Sequence, residues 1–159
     1  MKKLLIALFT LTLFVSCSSP TPDDILPPPK DYTAQNDKEI TDYLAKNNLT
    51  ATKTSTGLYY IIKTEGTGKQ PSILSTVTVK YKGYFTSGKT FDQSKDAAGA
   101  TFPLNKVIQG WKEGIPFFKE GGSGILLIPS HLGYGSYDDP RGVPAGSVLI
   151  FDIELISVN

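Results

Sequence analysis

The chain has a single cysteine, a single histidine and a single tryptophan in 159 residues. One cysteine, Cys17, excludes a disulfide within the chain, so stability must come from packing. One histidine, His131, excludes a multi-histidine metal site and gives a His-based nucleophilic triad very little support. Charge of either sign is also scarce in excess: 16 basic against 15 acidic residues leave +1. There is no basic footprint for nucleic acid. The glycine-rich segments 66–68 and 121–124 match neither phosphate-binding pattern and lack the following Lys-Ser/Thr, so they read as turns. Asp138 and Asp139, adjacent acids in a Gly/Pro loop, read as solvated rather than as a cation site.

What remains is the composition of a folded domain. Hydrophobic residues make up 40% of the chain and charged residues 19%, which is globular rather than disordered. The length suits one ordinary domain with a sizeable core and some extra at one end. Fifteen glycines and eleven prolines predict a fold rich in turns.

Residues 1–16 read as a targeting segment. Lys2 and Lys3 precede an uncharged, mostly apolar run of twelve residues, 4–15. That is signal-peptide length, short of the roughly 20 residues that span a bilayer. The run ends in Phe14-Val15-Ser16-Cys17, which resembles the bacterial lipoprotein signal. The resemblance implies lipidation of the Cys17 thiol and cleavage before it. Phe14 stands where that motif usually has Leu, and the alternative is an ordinary secreted protein with an incidental cysteine. Removing residues 1–16 takes away two lysines and no acid, so the remainder is near −1. Membrane attachment would then rest on the acyl chains rather than on charge. Ser18 after Cys17 is not the Asp type of inner-membrane retention signal, which favours the outer membrane of a bacterial envelope.

Residues 17–34 read as a tether: Pro20, Pro22 and the run Pro27-Pro28-Pro29 fix φ and remove donors, giving an extended spacer. Residues 36–47, within a segment assigned to 35–50, predict a short helix. Asn36 can cap it, with Glu39 three residues on as in a capping box. Ile40, Tyr43 and Leu44 share one face. That stripe can dock on the main domain, the favoured reading, or pair two chains into a homodimer.

From residue 57 the pattern changes to strands. Leu58 to Lys63 is one; Val77, Val79 and Tyr81 alternate in the next, at period two. A turn at Thr86-Ser87-Gly88-Lys89 leads to Thr90-Phe91-Asp92. Residues 111–118 fit one short helix, with Pro116 hinting at irregularity. Residues 124–129 and 148–158 supply two more strands, separated by a long loop over 131–147. About five strands and one helix predict an α+β domain with an antiparallel sheet.

The segment Val107-Ile108-Gln109-Gly110-Trp111 carries the only indole beside paired aliphatics. Alone it reads either as core or as the floor of a pocket. Together with other motifs it resembles the FKBP-type peptidyl-prolyl cis-trans isomerases over residues 57–159, within a domain assigned to 51–159. The motifs are Val79-Lys80-Tyr81-Lys82-Gly83, then Gly88 to Ser94, Phe102-Pro103-Leu104 and Val107 to Gly114. Ile128-Pro129, Leu132 to Gly135, Val143-Pro144 and Leu149 to Leu155 follow in the same order.

The resemblance implies a five-stranded antiparallel half-barrel wrapped around one short helix. It implies an isomerase of X-Pro bonds, acting on proline-containing polypeptides and needing no cofactor. Trp111 would be the floor of the site, with Tyr81, Phe91, Val107, Ile108, Val143 and Phe151 as apolar walls. Asp92 would be an acceptor at the rim, the Ile108 N–H would hold a substrate carbonyl, and the Tyr134 hydroxyl would donate. A further aromatic wall position falls on Ala100, leaving that side open or served by Phe102. A loop position that is His in some members falls on Asp139. The segment between Leu104 and Val107 is short, as in the bacterial lipoprotein and cell-surface branch. The alternative function is a peptide-binding chaperone that keeps the fold and catalyses weakly or not at all.

Overall fold

The computed structural model describes residues 28–159. The signal segment, Cys17 and most of the tether lie outside the described residues. Two helices, α1 (Thr33–Lys46) and α2 (Gln109–Gly114), accompany seven strands. These are β1 (Thr52–Lys53), β2 (Tyr59–Thr64), β3 (Thr76–Tyr84), β4 (Thr90–Gln93), β5 (Ala100–Pro103), β6 (Ser123–Ile128) and β7 (Leu149–Val158).

The alternating run predicted around Val77, Val79 and Tyr81 is β3, and it pairs antiparallel with β7 from Val77↔Val158 to Tyr84↔Ile150. The sheet order is β1-β2-β6-β7-β3-β4, with β5 also on β3 and every pairing antiparallel. Counting β4 and β5 as one, the sheet has six lanes, five of them beside the short edge strand β1. β4 pairs with Lys82, Gly83 and Tyr84, whereas β5 pairs with Thr76 to Val79, so the two are one lane interrupted over residues 94–99. β1 adds a two-residue edge. The fold is the expected α+β sheet wrapped on a short helix. β1 and β5 lie outside the five predicted strands: β1 has only two residues, and β5 follows no hairpin turn signal of the kind that marks β4.

The centre of the sheet, β6 and the first half of β7, is buried on both faces. β6 is an unbroken apolar run, Ile125-Leu126-Leu127-Ile128, and its alternate residues enter two different cores. Leu126 and Ile128 join Trp111, Ile115, Phe118 and Phe151 around α2. Ile125 and Leu127 join Ile40, Leu44, Tyr59 and Ile150 under α1. α2 sits directly on the strand because Gly110 has no side chain; a Cβ there would lie 2.5 Å from Ile128 Cγ2.

Two local expectations change. The 111–118 helix is α2 followed by a 3₁₀ turn over Ile115–Phe117, because Pro116 has no N–H with which to continue an α-helix. Asn36 is not the cap of α1. The helix starts a turn earlier, at Thr33, whose N–H bonds Asp31 Oδ1 at 2.8 Å. Asn36 lies inside α1, fully buried, and its amide bonds the main domain: Nδ2 to Gly146 O and Oδ1 from Ser130 N–H, both at 2.8 Å. Docking is thus the observed state of α1. No helix among the described residues is long and apolar enough to cross a membrane.

Candidate active site

The segment that leads into α2 builds one side of a cavity. Leu104–Lys106 forms a 3₁₀ turn anchored by fully buried Leu104, and Val107 and Ile108 then run extended into the helix. Ile108 is the N-cap residue: its carbonyl accepts from the Trp111 and Lys112 N–H groups at 3.0 and 3.1 Å. Its own N–H precedes the first helical bond, outside the ladder. One turn on, Trp111 is 4% exposed and three rings meet it edge to face. Tyr81, Phe151 and Phe102 lie 5.2, 5.3 and 5.6 Å away between centroids, all near perpendicular. Edge-to-face geometry sets the positive edge of one ring on the negative face of another. The indole Nε1–H has no hydrogen-bond partner among the described residues.

The resulting cavity holds about 390 Å³ and is lined by Tyr81, Asp92, Phe102, Lys106, Val107, Ile108, Trp111, Tyr134, Arg141 and Phe151. Eight of these are residues singled out in the sequence. Phe91 and Val143 are not at the cavity surface. Phe91 packs behind it, against Phe151 at 5.5 Å and Phe85 at 5.0 Å, and Val143 is buried in the α2 core. Phe102 fills the side in question. Ala100 and Phe102 share one face of β5, and the Phe102 ring reaches both Trp111 and Tyr81. The wall left short at Ala100 is therefore aromatic.

Beside the indole N–H, the polar side chains of the lining are those of Tyr81, Asp92, Lys106, Tyr134 and Arg141. The Tyr81 hydroxyl donates to Asp92 Oδ2 at 2.9 Å, and burial is the main cause that pushes the Tyr81 phenol well above its ordinary value. Burial likewise raises Tyr134. Both hydroxyls therefore stay protonated, as donors, through neutral pH. Lys106 and Arg141 were not anticipated. Arg141 stands 4.5 Å over the Tyr134 ring and grips Asp139 with two bonds, Nε to Oδ1 at 2.7 Å and Nη2 to Oδ2 at 2.8 Å. Those bonds hold the Asp139 carboxyl down at about 2. The adjacent Asp138 accepts from the Ala145 N–H, so the acidic pair is a loop brace. No cluster of metal-ligating side chains occurs among the described residues. His131 is away from the cavity, its Nε2 paired with Thr56 O at 2.9 Å.

The fold is an antiparallel sheet packed on a short helix, with a small aromatic cradle at the N-terminus of that helix. The model of the FKBP-type peptidyl-prolyl cis-trans isomerase family matches residues 67–156. The chain is 39% identical over 128 residues to an isomerase named FkpA from Aeromonas hydrophila, covering 79% of this chain and 47% of that protein. It is 42% identical over 123 residues to FkpA of Escherichia coli K12, covering 77% and 45%. The crystal structure of FkpA from E. coli superposes with a TM-score of 0.71 at 38% identity, over 80% of this chain and 61% of that one. A peptidyl-prolyl isomerase structure from Pseudomonas syringae gives 0.69 at 30% identity, over 82% and 97%. The chain spans under half the length of the curated relatives it matches. It belongs to the FKBP-type peptidyl-prolyl cis-trans isomerase family.

Proposed function

We propose that this chain catalyses cis-trans exchange of X-Pro bonds in polypeptides of a bacterial cell envelope, assisting their folding. The observation that carries the reading is the cradle on Trp111, with rings on three sides and the Tyr81, Asp92 and Tyr134 polar groups beside them in the lining. The two forms of an X-Pro bond are close in energy and separated by about 18–20 kcal/mol of lost amide resonance. A twisted amide has less C–N double-bond character and a less polar carbonyl, so a water-poor aromatic cavity favours it over the planar forms. The Ile108 N–H and the Tyr134 hydroxyl hold the flanking carbonyls and align the chain before the bond turns. Asp92 orients Tyr81 and donates no proton. Lowering the barrier by about 4 kcal/mol would speed exchange roughly a thousandfold.

A protease-coupled or NMR exchange assay on X-Pro peptides tests this directly. Absence of any rate enhancement would overturn it. Binding of the same peptides without acceleration would instead establish a chaperone module.

The location rests on the sequence. Cys17, after an apolar segment, carries the lipid in this reading and holds the domain on the membrane through the Pro-rich tether, with Ser18 favouring the outer membrane. Cys17→Ser should abolish palmitate incorporation and release the protein in membrane fractionation. A homodimer through α1 would have to use its outer face, since Ile40 and Leu44 are buried against the chain's own sheet. The mass of a monomer in solution at every concentration would exclude it.

A further inference from the structure

We propose that Asn36 is a positioning residue for the isomerase site, acting through the loop that carries Tyr134 and Arg141. The inference rests on the isomerase reading above. Four hydrogen bonds form a closed ring at the base of this loop. Ser130 N–H donates to Asn36 Oδ1 at 2.8 Å, and Gly135 N–H donates to Ser130 O at 2.8 Å. Gly146 N–H donates to Gly135 O at 3.0 Å, and Asn36 Nδ2 closes the circuit on Gly146 O at 2.8 Å.

The ring ties together the points where the loop leaves the β6 side, turns beside Tyr134, and returns towards β7. One amide supplies both the donor and the acceptor that the backbone there lacks. Asn36 is 0% exposed, so neither bond can be replaced cheaply by water. Two further contacts from the same segment reinforce it. Ser136 Oγ donates to Lys30 O at 2.7 Å, and the Tyr32 ring lies against Gly146, whose φ of +71° and missing side chain admit it.

All three anchoring residues precede the stretch 67–156 that the family model matches. The cavity floor is held by its own sheet and by α2. The Tyr134–Arg141 side depends on a helix docked from outside that stretch. Loosening the ring would leave the Trp111 cradle intact and let Tyr134 wander from the carbonyl it is to hold. Substrate affinity would therefore suffer before the sheet does.

The test uses the full chain and compares Asn36→Ala and Asn36→Asp with Leu44→Ala, which removes packing near the far end of α1 and leaves both Asn36 bonds in place. In the Asn36 variants, amide exchange at Ser130 and Gly146 should quicken at least about tenfold while Leu126 and Phe151 keep their protection. KM for an X-Pro peptide should rise about fivefold with kcat little changed, and Leu44→Ala should leave KM unmoved. In the unaltered chain, saturating peptide should slow exchange at the same two amides, because coupling is reciprocal. Unchanged exchange in the variants, an equal KM rise in Leu44→Ala, or no effect of peptide on those amides would each overturn the proposal. If the unaltered chain shows no isomerase activity, the isomerase reading fails, while the exchange data still report whether Asn36 holds the loop.

Discussion

The Tyr81 hydroxyl and Asp92 Oδ2 lie 2.9 Å apart across two neighbouring strands, β3 and β4. The bond ties the single acid lining the cavity to a ring that also packs edge-on against Trp111. In the proposed mechanism Asp92 is an acceptor that fixes Tyr81, not a source of protons. Asp92→Ala should retain measurable exchange, and a Tyr81→Phe/Asp92→Ala cycle should show coupling of about 1 kcal/mol in kcat/KM. Loss of all activity in a folded Asp92→Ala protein would contradict the orienting role.

In the proposed mechanism Trp111 supplies shape and no chemical step. Trp111→Leu keeps an apolar floor but loses three edge-to-face contacts, so kcat/KM should drop about tenfold, or ~1.4 kcal/mol, without vanishing. Steady-state assays on one X-Pro peptide check this.

The two cations at the cavity differ in how free their charge is. Arg141 is neutralised by Asp139, whereas Lys106 forms no ion pair among the described residues. Lys106→Glu should lower the preference for peptides with Glu beside proline, relative to Lys, by about three- to tenfold, and the difference should fade at high salt.

Exchange should depend little on pH. Tyr81 and Tyr134 have phenols raised in the folded state, so their contribution to stability is complete below the ordinary tyrosine value and is lost only as pH climbs through the raised one. Asp139 is lowered, so its contribution is present above its unfolded value and is lost as pH falls through about 2. None of these three groups changes charge between about pH 5 and 9, where kcat/KM should stay flat. A bell-shaped profile within that window would point to proton transfer in the reaction.

The seat of α2 is tested by Gly110→Ala. The gain in helix propensity is outweighed by the collision with Ile128, 2.5 Å from the new Cβ, so stability should fall by about 1–3 kcal/mol. Thermal unfolding should show Tm lower by roughly 4–10 °C.

Residues in short, contiguous motifs were legible before any coordinates. Trp111, Ile108 and Val107 sit together in the chain, and the period-two run marked β3. Lys106 and Arg141 gave no such signal, because an exposed cation in a loop has no periodicity to betray which cavity it borders. Asn36 was misread because capping is a rule about residues three apart, and its partners are 94 and 110 residues away.

The sequence by itself determined the class of fold, and the resemblance of its motifs to the FKBP-type family implied the residues of the cradle. Alternation, glycine and proline positions, and aromatic motifs act over neighbouring residues, and local sterics and burial follow from them. Only the tertiary structure decided that Phe102 closes the side beside Ala100, that Phe91 and Val143 stand behind the cavity, and that α1 braces the Tyr134 loop. Those outcomes depend on which distant segments fill the same space and satisfy one another's hydrogen bonds.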